Sequence, residues 1–428
     1  MNPSASQDYF RNLAMSTIKE LETDDGILAS AREEVYGCIF GRDTLVTCLK
    51  LLRVYKKTQD PILLSIVRKS LLTLASLQGK QINIESGEEP GKCIHEYRPT
   101  GHERLTLHME PRWYLYEDSK MRNYDTVDAT PLMLIAFYRY WQYSGDDVFL
   151  EIIKPNLEAA LSWCFDFGDT NGDGFIDYEF HKQRKSGGLL NQNWMDSVES
   201  VFHETEGVLI YPMAPVEVQA YAYLAFRLWA RYFAKTNSTK SEILETKAAE
   251  LKDAFNASYV TTDPGHNIFL ASKLDGEGKP FRSVRSNMGH VLWASLNQAD
   301  DGKLDCILRP EYIPAIVRRL MMADMFEPDA GIRTLSSLSR NYQPNSYHNG
   351  SIWPHDNAMI AEGLEIHGFA DEALRIKKAF LSAIEYFQTP IELFVYNGNF
   401  TDWSSPAGQR SCKKQAWSAA AILDAASD

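Results

Sequence analysis

The feature that most limits what this chain can fold into is an alternation of short and long links between helical segments. Apolar residues recur at helical spacing over about 7–22, 42–55, 60–78, 127–143, 146–165 and 216–233. The same spacing returns over about 238–259, 289–296, 311–322, 353–367, 370–387 and 413–426, with almost no convincing alternating strand. The second, fourth, sixth and tenth of these helices each run into the next through a few residues, as at Gly145 or Gly368. The links that precede them run to tens of residues, well beyond an ordinary helix–helix loop; the link over 297–310 is of middling length. This pattern predicts helical hairpins set side by side, with the long loops on one face. The even-numbered helices are also the more apolar all round. Residues 129–141 and 218–230 show little polar face, as buried helices do, whereas 238–255 carries an evident charged face. Six apolar helices within six amphipathic ones predict an all-α (α/α)6 barrel, formed as a single domain over residues 1–428. An open solenoid of stacked helix pairs is the alternative, but its repeats are shorter and more regular.

Composition narrows the possible ligands. A formal charge of −13 argues against nucleic acid and anionic membranes, which require a basic surface, and leaves neutral or cationic ligands open. Residues 1–24 lack the basic and apolar regions of a signal peptide, and no apolar run approaches membrane-spanning length. Cys38, Cys48, Cys93, Cys164, Cys306 and Cys412 are scattered, without the close pairs of a metal site or redox dithiol. Reduced thiols and a cytoplasmic protein without a membrane partner are expected.

Each expected inner helix opens on a polar or aromatic cluster. These include Phe40-Gly41-Arg42-Asp43, Tyr124-Asp125-Thr126-Val127-Asp128, Pro215-Val216-Glu217-Val218-Gln219 and Ser286-Asn287-Met288-Gly289-His290. The last two contain Trp353-Pro354-His355-Asp356 and Gln415-Ala416-Trp417. Helix capping explains Asp, Ser or Asn at such starts, but not Trp, His, Arg and Gln. Six such starts at one mouth would pair aromatic faces with hydroxyl-binding groups, which suits a carbohydrate. Trp113, Trp194, Trp353 and Trp403 fall in loops or at helix starts, within a ligand's reach or as plugs, whereas Trp141, Trp163 and Trp229 lie inside helices and read as core.

Hydrolysis of a glycoside needs two carboxyls. Asp196, in Asn191-Gln192-Asn193-Trp194-Met195-Asp196-Ser197, sits beside apolar bulk that should raise its pKa into the range of a general acid; taken alone, it reads as a turn or helix cap. Glu392 is an isolated carboxylate in the apolar run 390–394 and is the candidate partner, although an exposed loop glutamate would look similar. Asp43, Asp128, Glu217 and Asp356 are rivals whose helix-start positions better suit sugar hydroxyls or caps. The run 169–177 copies the opening of an EF-hand, but Phe180 stands where the bidentate Glu belongs, so a tight turn is expected. No HExxH or similar pair occurs, and neither a catalytic metal nor a cofactor is expected.

Together these runs resemble the bacterial amylo-α-1,6-glucosidase family, the glucosidase part of glycogen debranching enzymes. The similar runs are FGRDTL, EPGKCIHEYR, YDTVDATPLML, NQNWMDS, PVEVQAYAYLA, AGIRTLS, YHNGSIWPHDNAMIAEGL, IELF and QAWSAAAIL, in family order from about Phe40 to the C-terminus. The resemblance implies an (α/α)6 barrel and hydrolysis with inversion, without cofactor. By motif it implies that Asp196 is the general acid and Glu392 the general base. Phe40, Arg42, Asp43, Asp128, Trp194, Glu217, Gln219, Arg333, His348, Trp353, His355, Asp356, Gln415 and Trp417 fall at substrate-binding positions. The family more often has Gly-Trp-Lys-Asp-Ser around the acid, where this chain has Asn193 and Met195; that points to an altered outer sugar subsite. Related barrels act on glucosylglycerate, mannosylglycerate or short oligosaccharides, so a small α-glucoside is an alternative substrate. A sugar epimerase or isomerase on the same barrel, using His290, His348 or His355 to move protons, is a further alternative, as is a scaffold that has lost activity.

Overall fold

The structure, a computed structural model, describes residues 3–205, 207–297, 300 and 303–427. Among these, the chain packs as two compact units: the described residues within 3–170, 178–198 and 412–427 form one, and those within 171–177 and 199–411 the other.

The first unit holds α1 (Pro3–Leu21), α2 (Gly41–Thr58), α3 (Pro61–Ser76), a single turn α4 (Glu103–Thr106), α5 (Ala129–Ser144), α6 (Asp147–Asp166) and α13 (Ala416–Ala425). Its hairpins are made by short caps. Asp60 precedes Pro61 and accepts from the Ile62 amide at 2.9 Å, so α3 starts within two residues of the end of α2. Gly145 takes a left-handed conformation (φ 67°) that closes α5, and Asp146 then caps α6 through the Phe149 amide at 2.8 Å. The second unit holds α7 (Val216–Thr236), α8 (Ser238–Ser258), α9 (Met288–Trp293), α10 (Ile313–Leu320), α11 (Pro354–Ile366) and α12 (Ala370–Phe387). Here Asn237 alone separates α7 from α8, accepting from the Lys240 amide at 3.1 Å.

Burial follows the expected alternation in both units. Every residue of α5 from Ala129 to Tyr140 is buried, as is every residue of α7 from Val216 to Phe226 and of α13 from Ala416 to Asp424. In α8, by contrast, Leu244, Ala248, Leu251, Phe255 and Asn256 make the buried stripe. All twelve expected helices form; α1 begins earlier than its periodicity suggests, α9 is shorter, and α4 was not foreseen. Trp163 and Trp229 are core, whereas Trp141 is half-buried and donates its indole N–H to Asp147 at 2.9 Å. An indole at a hairpin end keeps its polar edge toward a partner.

The long loops are not devoid of strand. They contain antiparallel pairs of two or three residues each, such as Ile39–Phe40 with Glu96–Arg98 and Met121–Asn123, and Phe394–Tyr396 with Phe400–Asp402. Segments this short cannot display a period-two pattern, which is why alternation gave no sign of them. In the run 171–177, the Asp173 amide donates to Asn171 Oδ1 at 3.1 Å and the Phe175 amide to Asp173 Oδ1 at 3.0 Å, making the expected tight turn. All six cysteines are free and buried. Among the described residues, no helix is long and apolar enough to cross a membrane.

Candidate active site

In the first unit the helix start at Gly41 is built for close approach. Gly41 donates its amide to the His95 carbonyl at 2.8 Å, and a Cβ at that position would stand 1.9 Å from the Ile94 oxygen. The next residue, Arg42, is buried and forked. Its Nη1 donates to Asp128 Oδ2 at 2.9 Å and its Nη2 to Asp196 Oδ2 at 2.8 Å, while Thr126 Oγ1 donates to Asp128 Oδ1 at 2.5 Å. Although burial opposes its charge, Asp128, Asp196 and Asp43 hold the guanidinium above its ordinary range. Asp43 accepts from Gln415 Nε2 at 3.0 Å, and Gln415 Oε1 is buried without a hydrogen-bond partner. Burial pushes the Asp43 carboxyl up to about 7, against the pull of Arg42 and with the help of the neighbouring Asp196 charge. Phe40 packs edge-on against His95, whose ring burial and Arg42 hold neutral.

The loop that carries Asp196 is anchored on both sides. Arg184 binds Asp125 with two buried hydrogen bonds of 2.6 and 3.0 Å, and the Leu189 amide donates to Asp125 at 2.9 Å. The Val127 amide then donates to the Gln192 carbonyl at 2.8 Å, and Asn191 Nδ2 to the Ser197 carbonyl at 2.7 Å. Trp194 and Met195 are 3% and 2% exposed. Both side chains are buried within the loop that carries Asp196. The Asp196 side chain itself is 22% exposed. Burial raises its pKa to about 6; Arg42 opposes the rise and Asp128 adds to it. That is a carboxyl able to hold a proton near neutral pH with a face open to a ligand. Trp417, on α13, is buried at 4%.

In the second unit Glu392 lies in a segment paired to the start of α11. The Ile352 amide donates to the Phe394 carbonyl at 2.9 Å and the Phe394 amide to the Ile352 carbonyl at 3.0 Å, and Glu392 is buried at 1% exposure. Tyr347 Oη donates a short hydrogen bond to Glu392 Oε1. Around them stand aromatic rings: His348 stacks on Trp353 at 5.1 Å, and Tyr347 meets Trp353 edge-on at 4.9 Å and Trp403 at 4.7 Å. His355 meets Trp353 edge-on at 5.6 Å. Trp353 Nε1 donates to the Tyr347 carbonyl at 3.1 Å and to Ser351 Oγ at 3.0 Å, fixing the indole. Tyr347, the first residue of the run YHNGSIWPHDNAMIAEGL, was not foreseen as a site residue; an aromatic hydroxyl reads as packing until its partner is known.

Four expected sugar ligands are hydrogen-bonded to protein groups. Gln219 accepts from the Ile176 amide at 2.9 Å and donates to the Ile176 and Pro215 carbonyls at 2.7 and 3.1 Å, so its amide holds the 171–177 turn. Arg333 pairs with Glu327 at 2.6 Å. Glu217 is fully buried and accepts from Asn287 at 2.9 Å. Asp356, also fully buried, accepts from His290 Nε2 at 2.8 Å, and Tyr221 Oη lies 2.6 Å from His290 Nδ1. Each of these side chains is engaged by a protein group, and His290 is itself held between Asp356 and Tyr221.

A family model described as amylo-α-1,6-glucosidase matches residues 114–424. The chain belongs to this family. The amylo-α-1,6-glucosidase match contains Asp128, Asp196, Glu392, Gln415 and Trp417, while Phe40, Arg42 and Asp43 precede it. The protein is thus a glycoside hydrolase with the all-α, (α/α)6 fold class of the six-hairpin glycosidases. Among solved structures, the GH63 mannosylglycerate hydrolase from Thermus thermophilus in complex with Tris is similar at a TM-score of 0.64 and 15% identity, over 97% of this chain and 99% of that one. The same enzyme in complex with glucose gives 0.61 at 15% identity with the same coverage. A rhamnosidase from Klebsiella oxytoca with rhamnose bound gives 0.57 at 12% identity, over 98% of this chain and 63% of that one. Comparison with the curated proteins gave no match.

Proposed function

We propose that the chain is a cytoplasmic, inverting α-glucosidase that acts as one catalytic domain on α-1,6-linked or other short α-glucosides, as in glycogen debranching. The observation that carries this reading is Asp196: a partly exposed carboxyl, raised to about 6, with one oxygen held by Arg42. Its Oδ2 is engaged, so Oδ1 bears the proton. In the reaction the Oδ1–H bond breaks as that proton passes to the glycosidic oxygen, and the C1–O bond breaks with it. Glu392 takes a proton from a water that attacks C1 from the opposite ring face, so the products are the free sugar in inverted configuration and the protonated leaving alcohol. Tyr347 orients Glu392 through Oε1. Asp43 and Gln415 bind sugar hydroxyls, and Phe40, Trp353, His348 and His355 supply the apolar walls. No metal or cofactor takes part.

A second reading is hydrolysis of a small glucoside or mannoside of glycerate. It is favoured by the likeness to the mannosylglycerate hydrolase, which spans 99% of that enzyme's chain. Hydrolysis of isomaltose, panose, limit dextrin, glucosylglycerate and mannosylglycerate, compared at equal concentration, separates the two. On the best substrate, Asp196→Asn and Glu392→Gln should each lower kcat by roughly 10³-fold or more while KM changes little. Near-wild-type turnover in either variant removes that residue from its role.

A further inference from the structure

Asp128 was expected to bind sugar, and its surroundings assign it a different task. It has no solvent-exposed surface, its Oδ1 accepts from Thr126, and its Oδ2 accepts from Arg42 Nη1. The other arm of the same guanidinium, Nη2, reaches Asp196 Oδ2. A guanidinium is planar, with its Nη donors fixed relative to one another, so fixing one arm fixes the direction of the other. We propose that Asp128 is a positioning residue: it never touches the sugar, but sets the plane of Arg42 so that Arg42 holds Asp196 Oδ2 and turns Oδ1 toward the glycosidic oxygen. Thr126 in turn locks Asp128. Arg42 is thereby assigned to the acid rather than to a sugar hydroxyl, because both its Nη groups are engaged by carboxylates and its Nε is buried without a hydrogen-bond partner.

The arrangement also balances charge. Asp196 faces Arg42 and Asp43 from α2, and Asp128 from the turn before α5. Behind them, His95 is neutral beside Arg42, and burial keeps the Cys93 thiol near Asp128 protonated. Were Arg42 to serve Asp196 alone, the ion pair would favour the ionised acid, which cannot protonate a leaving group. Asp128 shares the cation, and its own charge disfavours a second negative charge nearby. The acid therefore keeps both its orientation and its proton.

This inference rests on Asp196 being the acid, and the test separates the two claims. Asp196→Asn is measured first; turnover close to wild type would remove the acid assignment itself. With that loss established, Asp128→Asn is examined for kcat, KM and the pH dependence of kcat/KM. A neutral amide frees Arg42 for Asp196, so the alkaline limb should move to lower pH by about one unit, costing roughly tenfold at neutral pH. The fall should lie in kcat, with KM within about twofold of wild type. Asp128→Glu, which keeps the charge but shifts the fork, should lower kcat while the alkaline limb stays near its wild-type position, and it serves alone if the Asn variant does not fold. An unmoved limb in Asp128→Asn, or a change confined to KM in either variant, would overturn the positioning role and leave the acid assignment standing.

Discussion

Asp43 is the residue at which function and stability pull in opposite directions. Burial raises its folded pKa from 3.8 to about 7, so folding favours its protonated form. Its contribution is therefore complete below the unfolded pKa and is lost as pH rises through about 7. Asp43→Asn, which cannot ionise, should stabilise the protein above pH 7 by an amount of order 2–4 kcal/mol, with no gain below about pH 4. Urea unfolding at the two pH values checks this, and equal stability of both proteins at high pH would contradict it. Tyr347 makes the complementary case. Tyr347→Phe removes one charge-assisted hydrogen bond of about 1.5–3 kcal/mol from the buried Glu392 and should reduce kcat roughly tenfold or more and lower the melting temperature as well. At this scale the sequence was informative where chemistry contradicts context. An aspartate beside Trp194 and Met195 promised a raised pKa, and burial provides it. It misled where a polar side chain at a helix start has a protein partner, as with Gln219 and Asp356, because composition does not reveal which backbone carbonyl or histidine stands opposite.

Helices were legible because their signals are local: a run of apolar spacing and a cap such as Asp60 before Pro61. The short strands were not, since two or three residues are paired by neighbours far along the chain. Ion pairs between helices are equally invisible in sequence. Lys50 in α2 lies 3.2 Å from Asp424 in α13, both buried, and Arg53 reaches the other Asp424 oxygen at 2.9 Å. Replacing Asp424 with Ala removes the carboxylate shared by Lys50 and Arg53 in a buried ion pair, which should cost about 3–5 kcal/mol; a melting temperature unchanged from wild type would contradict this. Gly41 links the start of α2 to the acid. Gly41→Ala drives a methyl into the Ile94 carbonyl, so it should displace Arg42 and lower kcat together with stability.

For the molecule as a whole, the alternation of short and long links carried more information than any single motif. It constrained the chain to helical hairpins, and the family match and the likeness over 97% of the chain agree with that class. What link lengths cannot encode is the substrate, because specificity depends on side chains that face the ligand, and Trp194 and Met195 prove to be buried instead. We propose that Asp196 and Glu392 hydrolyse an α-glucoside in a single displacement. Proton NMR of the sugar released in the first minutes from the best substrate, before mutarotation mixes the anomers, tests it most directly. The β-anomer should appear first and the α-anomer grow in later; initial release of the α-anomer would contradict a single displacement.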